Sequence, residues 1–419
     1  MERNPFNWFK VYLSGKMLLM FILGFASGMP LALTGSTLSA WMVAEGVDIK
    51  TIGLYSLVGL PYAFKFLWSP LMDRFVPPFL GRRRGWMLIT QLALIFTISA
   101  LGFFNPASMP LLVAAVALSL AFFSASQDIV LDAYRTEYLK PEERGAGVGV
   151  WIMGYRIALL VSGALALILS DYVSWKMVYC IMGLSMVIGC IATLVAPEPL
   201  KITLTGETVE APKNLYEAAV SPFIEFFRRP GSLEILLFIM LYKLGDIAAA
   251  QMTTPYILKY VGFSRTELGT IYKGFGMAAT IVGALMGGAI MSKWPLKRSL
   301  FVFGVLQGVS ILAFILLEFT GREIWALAVV IGIENFCGGM GTAAYTAFLM
   351  GLCNRKFTAT QYALLSSLMA VGRNVTGAPT GYLADAVGWV MFFVICTALA
   401  LPGLLLLLRY DRWAVDIQN

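Results

Sequence analysis

The sequence predicts an all-α integral membrane protein with twelve transmembrane helices. Of its 419 residues, 59% are hydrophobic and 13% are charged, and the mean hydropathy is +0.78. Soluble domains carry roughly 25% charged residues, so this composition excludes an ordinary soluble fold. Apolar runs of about 20 residues, each long enough to cross a hydrocarbon core of ~30 Å, recur along the whole chain. We therefore expect helices that span a lipid bilayer.

Twelve spans follow from these apolar runs. The first run is too long for a signal-peptide core and lacks a small-residue cleavage site, so we expect it to be retained as the first span. The predicted spans are 17–41, 50–72, 85–104, 110–138, 146–170, 174–196, 232–259, 266–291, 299–319, 323–352, 359–384 and 387–409.

The basic residues predict the orientation of the spans. With both termini in the cytoplasm, the inner segments contain twenty of the 31 Lys and Arg residues, and the outer segments contain five. Positive charge is enriched in the cytoplasmic segments of membrane proteins, so we expect this multi-pass orientation. The net charge of +7 then reflects topology rather than nucleic-acid binding.

A polar segment divides the chain into two halves. Residues 197–230 contain five prolines and mixed charges, which predicts a cytoplasmic linker with a short surface helix around 214–227. Residues 1–196 and 231–419 then form two six-helix bundles. Two parallel six-helix halves around a central cavity are the architecture of the major facilitator class of transporters.

The loop after the second span supports this architecture. Its sequence, "SPLMDRFVPPFLGRRRG", resembles the facilitator signature Gly-x3-Asp-Arg-x-Gly-Arg-Arg, stretched by a few residues and without its first Gly. We expect Asp73 near a helix N-terminus and the basic cluster, where these residues would form a gate that locks one conformation. The alternative is that the arginines only anchor the topology. The counterpart in the second half, "MSKWPLKRS", keeps only the basic residues. The predicted gate residues are Asp73, Arg74, Arg82, Arg83 and Arg84.

Ten charged residues of the predicted spans are candidates for charges inside the membrane protein. A charge at mid-membrane costs about 3 kcal/mol on insertion scales, so each such residue is a functional hypothesis. Two of them, Arg156 and Arg373, lie at corresponding points of the similar segments "GYRIALLVSG" and "VGRNVTGAPTG". The ten residues are Lys65, Asp128, Asp132, Arg135, Arg156, Lys243, Asp246, Lys273, Glu334 and Arg373.

Helix rise indicates which charges can meet in the first half. Asp128 and Arg156 each lie ten residues from the inner end of their span, or ~15 Å deep, which favours an ion pair between them. Asp132 and Lys65 lie ~9–10 Å deep and could form a second pair. The two carboxylates are four residues apart and share one helix face, which must point away from lipid. Arg135 lies nearer the membrane surface, as does Glu137, and neither is expected to have a role in transport.

These carboxylates are candidates for proton coupling. A carboxylate beside Arg stays charged, and it gains a proton more readily when the Arg moves away or binds an anionic substrate. Asp128, Asp132 and Asp246 are the proton-coupling candidates. The alternative for each is a permanent ion pair that fixes helix packing.

The charged residues of the second half, together with Arg156, predict a cationic site. Lys243 and Asp246 are three apart on one face of the seventh span, so they could pair with each other or bind substrate. Lys243, Arg156 and Arg373 at similar depth would give a cavity suited to an anionic substrate. The predicted substrate-binding residues are Gln127, Tyr155, Arg156, Lys243, Gln251, Lys273, Glu334, Arg373 and Asn374.

The residues available for catalysis argue against an enzyme. The chain has no histidine, and its five cysteines have no paired spacing, so neither a disulfide framework nor a zinc site is indicated. We find no nucleophile–base set, metal cluster or phosphate-binding loop. We therefore expect no cofactor, only a proton as coupling ion. The sequence shows no oligomer interface, and we expect a monomer.

Several segments closely resemble the AmpG muropeptide permeases of Gram-negative bacteria. They cover nearly the whole chain, and the Ser-Gln-Asp-Ile-Val-x-Asp-Ala run is specific to the family. The longer members carry further hydrophobic segments after the twelfth span, whereas this chain ends at Asn419, and we expect core transport without them. The segments are "LGFASGMPLALTGSTLSAWM", "FKFLWSPLMDR", "RRRGW", "FSASQDIVLDAYRTEYL", "EERGAG", "GYRIALLVSGALAL" and "LYKLGD".

The resemblance implies a proton-coupled importer in the bacterial inner membrane. Its substrates would be N-acetylglucosaminyl-1,6-anhydro-N-acetylmuramyl peptides, which are recycled for peptidoglycan and feed the signal that induces chromosomal β-lactamase. Muropeptides carry several carboxylates, which agrees with the cationic cavity predicted above. The main alternative is a facilitator for another anionic solute, such as a peptide or an acyl-CoA. A membrane enzyme for glycan fragments is a third hypothesis, which the missing catalytic groups disfavour.

Overall fold

The computed structural model describes residues 10–199 and 212–413, and every regular element in these ranges is a helix. We number the twelve spans in chain order, and all twelve predicted spans are present. Span 11 is the helix Thr358–Val387, and spans 2 and 7 are broken. Spans 1, 3, 4, 5, 6, 8, 9, 10 and 12 are long apolar helices, namely Gly15–Ala44, Arg82–Leu101, Pro110–Tyr138, Pro141–Ser170, Trp175–Val195, Leu268–Met291, Leu296–Thr320, Ile324–Leu352 and Trp389–Trp413.

Span 2 is a chain of short helical pieces. Pro61 and Pro70 each lie at the start of a new piece, where a residue without an N–H group is tolerated. One of the breaks leaves Lys65 in a 3-10 turn inside the protein. The pieces are Ile49–Leu54, Tyr55–Gly59, Leu60–Phe64, Lys65–Leu67 and Ser69–Arg74.

Span 7 is interrupted near its middle. The helix Ser232–Leu241 ends, and a second helix, Leu244–Pro255, starts after Lys243 and continues into the π-helical turn Tyr256–Tyr260. The interruption frees backbone groups and places a buried lysine at the end of a helix. Broken helices at membrane depth are tolerated where the backbone faces protein or a polar cavity.

The linker contains the surface helix that the sequence predicts. The helix Leu215–Arg228 begins at Asn214, whose side-chain oxygen accepts a hydrogen bond from the backbone N–H of Glu217 at 2.7 Å. Residues 200–211 lie outside the described ranges. The division into bundles at 197–230 stays a prediction.

Three apolar clusters show how the two sets of six spans are joined. The largest cluster contains residues of both sets, such as Met72 and Leu139 with Phe238 and Leu352. These residues lie toward the membrane face that carries Arg82–Arg84, which we call the basic face. At the opposite, outer face the described residues form two separate clusters, one from spans 1–6 and one from spans 7–12. The halves therefore share one core at the basic face only.

Close backbone packing of spans 5 and 8 contributes to this shared core. A Cβ atom at Gly149 would lie 2.7 Å from the carbonyl oxygen of Ala284, and one at Gly288 would lie 2.5 Å from the carbonyl oxygen of Gly145. Only glycine permits helices to approach this closely.

Candidate transport pathway and gate

Asp73 joins the two halves at the basic face. Its carboxylate is fully buried and accepts hydrogen bonds from the backbone N–H and the hydroxyl of Thr360, both at 2.8 Å. The N–H of Ala359 donates to the same carboxylate at 3.3 Å. These donors lie in the first turn of span 11, where N–H groups are unpaired and the helix dipole favours an anion. A residue of span 2 therefore caps a helix of the other half.

Arg83 holds this carboxylate in place. Its guanidinium, 1% exposed, donates to Asp73 at 2.8 Å and to Glu137 of span 4 at 2.5 Å. Arg82 adds an ion pair to Glu137 at 3.3 Å. Glu137, for which no role in transport was expected, is thus part of an ion-pair network at this end of span 4, and whether it acts in transport stays open.

The other two predicted gate arginines have different surroundings. Arg84 donates to the carbonyl oxygens of Thr193 and Leu194, at 3.1 and 2.6 Å, so it fastens span 3 to span 6. Arg74 does not join the network, and its guanidinium lies over the ring of Phe75. The sequence reasoning missed Glu198, which accepts the N–H groups of Arg83 and Arg84 at 2.8 and 3.0 Å.

Asp132 lies between two cations. Its carboxylate is 3.7 Å from the Lys65 ammonium, as the depths predict, and 2.8 Å from the Arg135 guanidinium. Arg135, three residues from the end of span 4, is buried inside the protein. It donates to the Tyr362 hydroxyl of span 11 at 2.9 Å and lies over the ring of Trp151. This group is a second bridge between the halves.

Asp128 has no cation within ion-pair distance among the described residues. Its carboxylate accepts a hydrogen bond from the Ser27 hydroxyl of span 1 at 2.7 Å, and Lys65 is its strongest cationic neighbour. The predicted ion pair between Asp128 and Arg156 is therefore wrong. The neighbours of Asp128 lie on spans 1 and 2, whereas Arg156 lies near Tyr272 of span 8.

Arg156 extends toward the second half. It lies within electrostatic range of Tyr272 on span 8, which also interacts with Asp246 and Glu334. Arg156 forms no ion pair with any residue that the structure describes. Tyr272, which the sequence reasoning missed, thus marks a point where charged groups of spans 5, 7 and 10 approach one another.

Lys243 is the centre of a polar cluster in the second half. Its ammonium lies 3.6 Å from Asp246, which confirms pairing within span 7. It also donates to Gln307 of span 9 at 2.8 Å and to Thr342 of span 10 at 3.0 Å. Neither of these two acceptors was predicted. Glu334 lies within electrostatic range of both Lys243 and Asp246.

The polar candidates without charge are distributed unevenly. Gln127 is buried beside Asp128, and its amide oxygen and nitrogen have no hydrogen-bond partner among the described residues. Tyr155 and Asp128 both lie near Tyr62. Gln251, by contrast, is exposed on span 7 and away from these groups. The side chains of Lys273, Arg373 and Asn374 lie outside the described part of the structure.

The described charged groups fall into three layers. The Asp73 network lies at the basic face, the Asp132 group lies above it, and Asp128, Arg156 and the Lys243 cluster lie deeper. Charged side chains inside a bundle of membrane helices mark solute or ion pathways. A twelve-span helical protein with such groups between its halves has the construction of a membrane transporter.

Comparison with known sequences gives the family. The family model of the Major Facilitator Superfamily matches residues 20–377 and 244–414. The anhydromuropeptide permease of Escherichia coli (strain K12) is 49% identical over 96% of this chain and 81% of its own length. A relative from Rickettsia bellii, 33% identical over 95% of this chain and 98% of its own, also carries the AmpG name. The chain belongs to the major facilitator superfamily, among the AmpG-type permeases.

Solved structures agree with the fold. The proton:xylose symporter XylE superposes with a TM-score of 0.71 at 10% identity, over 94% of this chain and 95% of that one. The human organic anion transporter MFSD10 gives a TM-score of 0.64 at 16% identity, over 97% and 100% of the two chains. Similarity at such low identity supports the fold alone. The predicted twelve-helix facilitator fold is thus confirmed.

Proposed function

We propose that the protein imports anhydromuropeptides through the inner membrane by symport with protons. The observation that carries this is the 49% identity with a protein named anhydromuropeptide permease, over 96% of the chain. Similarity at this level over all twelve spans includes the helices that line the pathway. The same relationship argues against an enzyme. The imported fragments would be recycled for peptidoglycan and would feed the signal that induces β-lactamase.

The substrate is an anion, and the pathway offers cations. Arg156 has no carboxylate partner among the described residues, so its guanidinium is available to a substrate carboxylate. Lys243 is held at the break in span 7 by Gln307 and Thr342, which fixes a second positive charge. Gln127 and Tyr155 would supply hydrogen bonds beside Asp128. Lys273, Arg373, Asn374 and Glu334 remain candidates for the rest of the site.

Asp128 is the best candidate to carry the coupled proton. Asp132 lies 2.8 and 3.7 Å from two cations, so loss of its charge would leave both without their carboxylate. Asp128 has one hydroxyl donor and no cation within ion-pair distance in the described residues, so taking up a proton breaks no ion pair there. Asp246, paired with Lys243, is the second candidate. No cofactor other than the proton is needed.

The gate would determine which face of the protein is closed while the substrate enters. The basic face would be cytoplasmic, with both termini on that side, because positive charge is enriched there. Asp73 and Arg83 would hold this face closed while substrate and proton enter from the outer face. Opening would require Asp73 to leave the first turn of span 11. The protein would work as a monomer, because the pathway lies within one chain.

Uptake into proteoliposomes tests the proposal. A labelled anhydromuropeptide would be supplied outside, with and without an inward proton gradient, to the parent chain and to Asp128→Asn. We expect the gradient to drive accumulation by the parent, whereas the variant only equilibrates the substrate. Asp171→Asn, at an exposed site on the loop after span 5, is the matched control and should accumulate like the parent.

Three other results would revise the proposal. Normal accumulation by Asp128→Asn would move coupling to Asp246 or Asp132. Equal uptake by the parent with and without the gradient would leave a facilitator. No uptake by the parent, in liposomes where the protein is folded, would exclude this substrate and direct the search to other anionic solutes.

A further inference from the structure

The basic face contains a cavity that the gate and the pathway do not use. It has a volume of about 530 Å³ and lies between the loop joining spans 4 and 5 and the loop joining spans 8 and 9. Ala347 of span 10 and Tyr410 of span 12 complete its wall. Two sequence segments without a role so far, "EERGAG" and "MSKWPLKRS", therefore meet here. The first belongs to one half and the second to the other.

The cavity is positively charged. Arg144 and Lys293 line it from opposite halves, and Glu142, exposed at the rim, is the one carboxylate among its described lining residues. Arg355 lies within electrostatic range of Arg144. Arg298 lies over the ring of Trp294 at 4.1 Å and adds positive charge beside the cavity. An anion in the cavity would therefore meet several cations and one carboxylate.

Arg144 has no ion-pair partner among the described residues, although its side chain is half-buried. Its Nε atom is shielded from solvent and has no hydrogen-bond partner among these residues. Buried polar groups in native proteins are nearly always paired. The side chain borders the cavity, so an anion there would pair with a guanidinium that no described carboxylate neutralises.

We propose that this cavity binds a phosphate-bearing anion. Arg144 and Lys293 would hold the phosphate, since a guanidinium and an ammonium are the groups that bind phosphate in proteins. Met291 and Leu296 give the cavity an apolar side for the rest of the ligand. Basic pockets between membrane helices at this level bind phospholipid headgroups. A soluble phosphate ester would present the same chemistry.

Binding of an anion in this cavity would also affect the conformation of the protein. Both halves form the wall, so the ligand fits only while spans 5 and 8 are packed at the basic face. A ligand that binds one conformation shifts the protein toward it. The bound anion therefore stabilises the protein with its basic face closed.

The test measures binding directly and uses purified protein without any transport assay. One arm adds phosphatidylglycerol or phosphatidylcholine to the protein in detergent and counts retained lipids by native mass spectrometry. The other arm measures radiolabelled glycerol 3-phosphate by equilibrium dialysis. Arg144→Gln and Lys293→Gln are compared with Lys297→Gln, a control in the first turn of span 9 whose ammonium pairs with Asp411 at 2.6 Å and does not line the cavity.

We expect Arg144→Gln and Lys293→Gln each to weaken binding about tenfold, because each removes a charge-assisted hydrogen bond. Loss of phosphatidylglycerol alone would support a lipid headgroup as the ligand, and loss of glycerol 3-phosphate would support a soluble phosphate. The Lys293 side chain is exposed, so its variant should fold even where Arg144→Gln does not. Equal binding of both probes by the parent, Lys293→Gln and Lys297→Gln would overturn the proposal.

Discussion

Two carboxylates on one face of span 4 differ in their partners, and this difference separates structure from function at the level of single residues. Asp132 forms ion pairs with both Arg135 and Lys65, whereas Asp128 accepts one hydrogen bond from Ser27. Asp132 is therefore tied to the stability of the folded protein. Asp128 can change its protonation state without leaving a buried cation unpaired.

Asp132→Asn should lower the free energy of unfolding by about 3 kcal/mol, because removing one partner of a buried ion pair leaves the other charge uncompensated. Asp128→Asn should change stability by less than about 1 kcal/mol, since an amide can still accept the hydroxyl of Ser27. Thermal unfolding in one detergent, at one protein concentration, measures both. Equal losses in the two variants would show that Asp128 is also a structural group.

Asp73 is expected to control access from the basic face. Asp73→Asn removes the anion from the first turn of span 11 and from Arg83, and each charged hydrogen bond contributes about 1.5–3 kcal/mol. We expect the closed state to lose enough free energy for opening to become at least about tenfold more frequent. Cys353, just beyond span 10, is a natural reporter, because burial raises the pKa of its thiol.

The measurement is the rate at which a water-soluble thiol reagent labels Cys353 in a chain whose other four cysteines are replaced. Opening hydrates the thiol and lowers its pKa toward the ordinary value, so labelling should accelerate in Asp73→Asn. Loss of the Asp73 charge also lowers the pKa of Cys353 directly, and the variant Gly149→Ala, which changes no charge, separates opening from this direct effect. Asp171→Asn, on the opposite side of the membrane, is the control and should label at the parent rate. An unchanged rate in Asp73→Asn would mean that the cap does not hold the face closed.

At the level of helices, the linker helix Leu215–Arg228 fastens the start of span 11 from outside. Glu225 accepts hydrogen bonds from Gln361 of span 11, at 2.5 Å, and from Arg229, at 2.6 Å. A second contact is the ion pair between Glu217 and Lys356 at 2.7 Å, and both side chains are partly exposed. The first contact should matter more, because Glu225 also holds the buried Gln361, whereas partly exposed ion pairs contribute about 1 kcal/mol or less.

Glu225→Gln should loosen the linker helix, since it removes the charge that holds both Gln361 and Arg229. We expect amide hydrogen exchange across 215–228 to accelerate about tenfold, the effect of losing roughly one charged hydrogen bond. Glu217→Gln is the matched control on the same helix and should change exchange by less than about threefold. If both variants exchanged at the parent rate, apolar packing alone would hold the helix in place.

Hydropathy predicts continuous spans well and broken ones poorly. The helix Pro110–Tyr138 matches the predicted span 110–138 because its apolar run and its flanking charges coincide. In span 2, Pro61 and Pro70 mark two of the breaks between the helical pieces. The break before Leu244 in span 7 has no proline beside it, and tertiary contacts of Lys243 with spans 9 and 10 stabilise it instead. Such contacts are not visible in a single run of sequence.

The contacts of the charged groups in the candidate site could likewise be predicted from the sequence only in part. Spacing along one helix correctly predicts that Lys243 meets Asp246, and depth correctly predicts that Lys65 meets Asp132. Depth alone wrongly predicts an ion pair between Asp128 and Arg156, because the depth of a residue does not determine how its helix is rotated about the helix axis. Depth also does not show that Arg135, near the end of its span, is buried because the other half packs over it.

For the whole molecule, the arrangement of the apolar clusters indicates which face can open. One cluster runs through both halves at the basic face, while the described residues at the outer face form two clusters that belong to separate halves. Alternating access in facilitators rocks one half against the other. Opening the basic face must therefore separate spans 5 and 8 where their backbones touch at Gly149 and Ala284.

Gly149→Ala tests this directly. The added methyl group would lie 2.7 Å from the carbonyl oxygen of Ala284, and neither backbone can yield without moving its helix. We expect the halves to be wedged apart at the basic face, with a loss of about 1–3 kcal/mol, as overpacking typically costs. Labelling of Cys353 should then accelerate as it does in Asp73→Asn, although no charge has changed.

Gly163→Ala is the control on the same span, because its methyl group would lie 3.8 Å from the Ala32 side chain, an ordinary contact. Its labelling rate should match the parent, and its thermal stability should stay equal or rise slightly, since Ala is favoured over Gly in helices by about 0.5–1 kcal/mol. Destabilisation of Gly149→Ala without faster labelling would mean that spans 5 and 8 yield locally, and that the closed basic face depends on the Asp73 network rather than on this backbone contact.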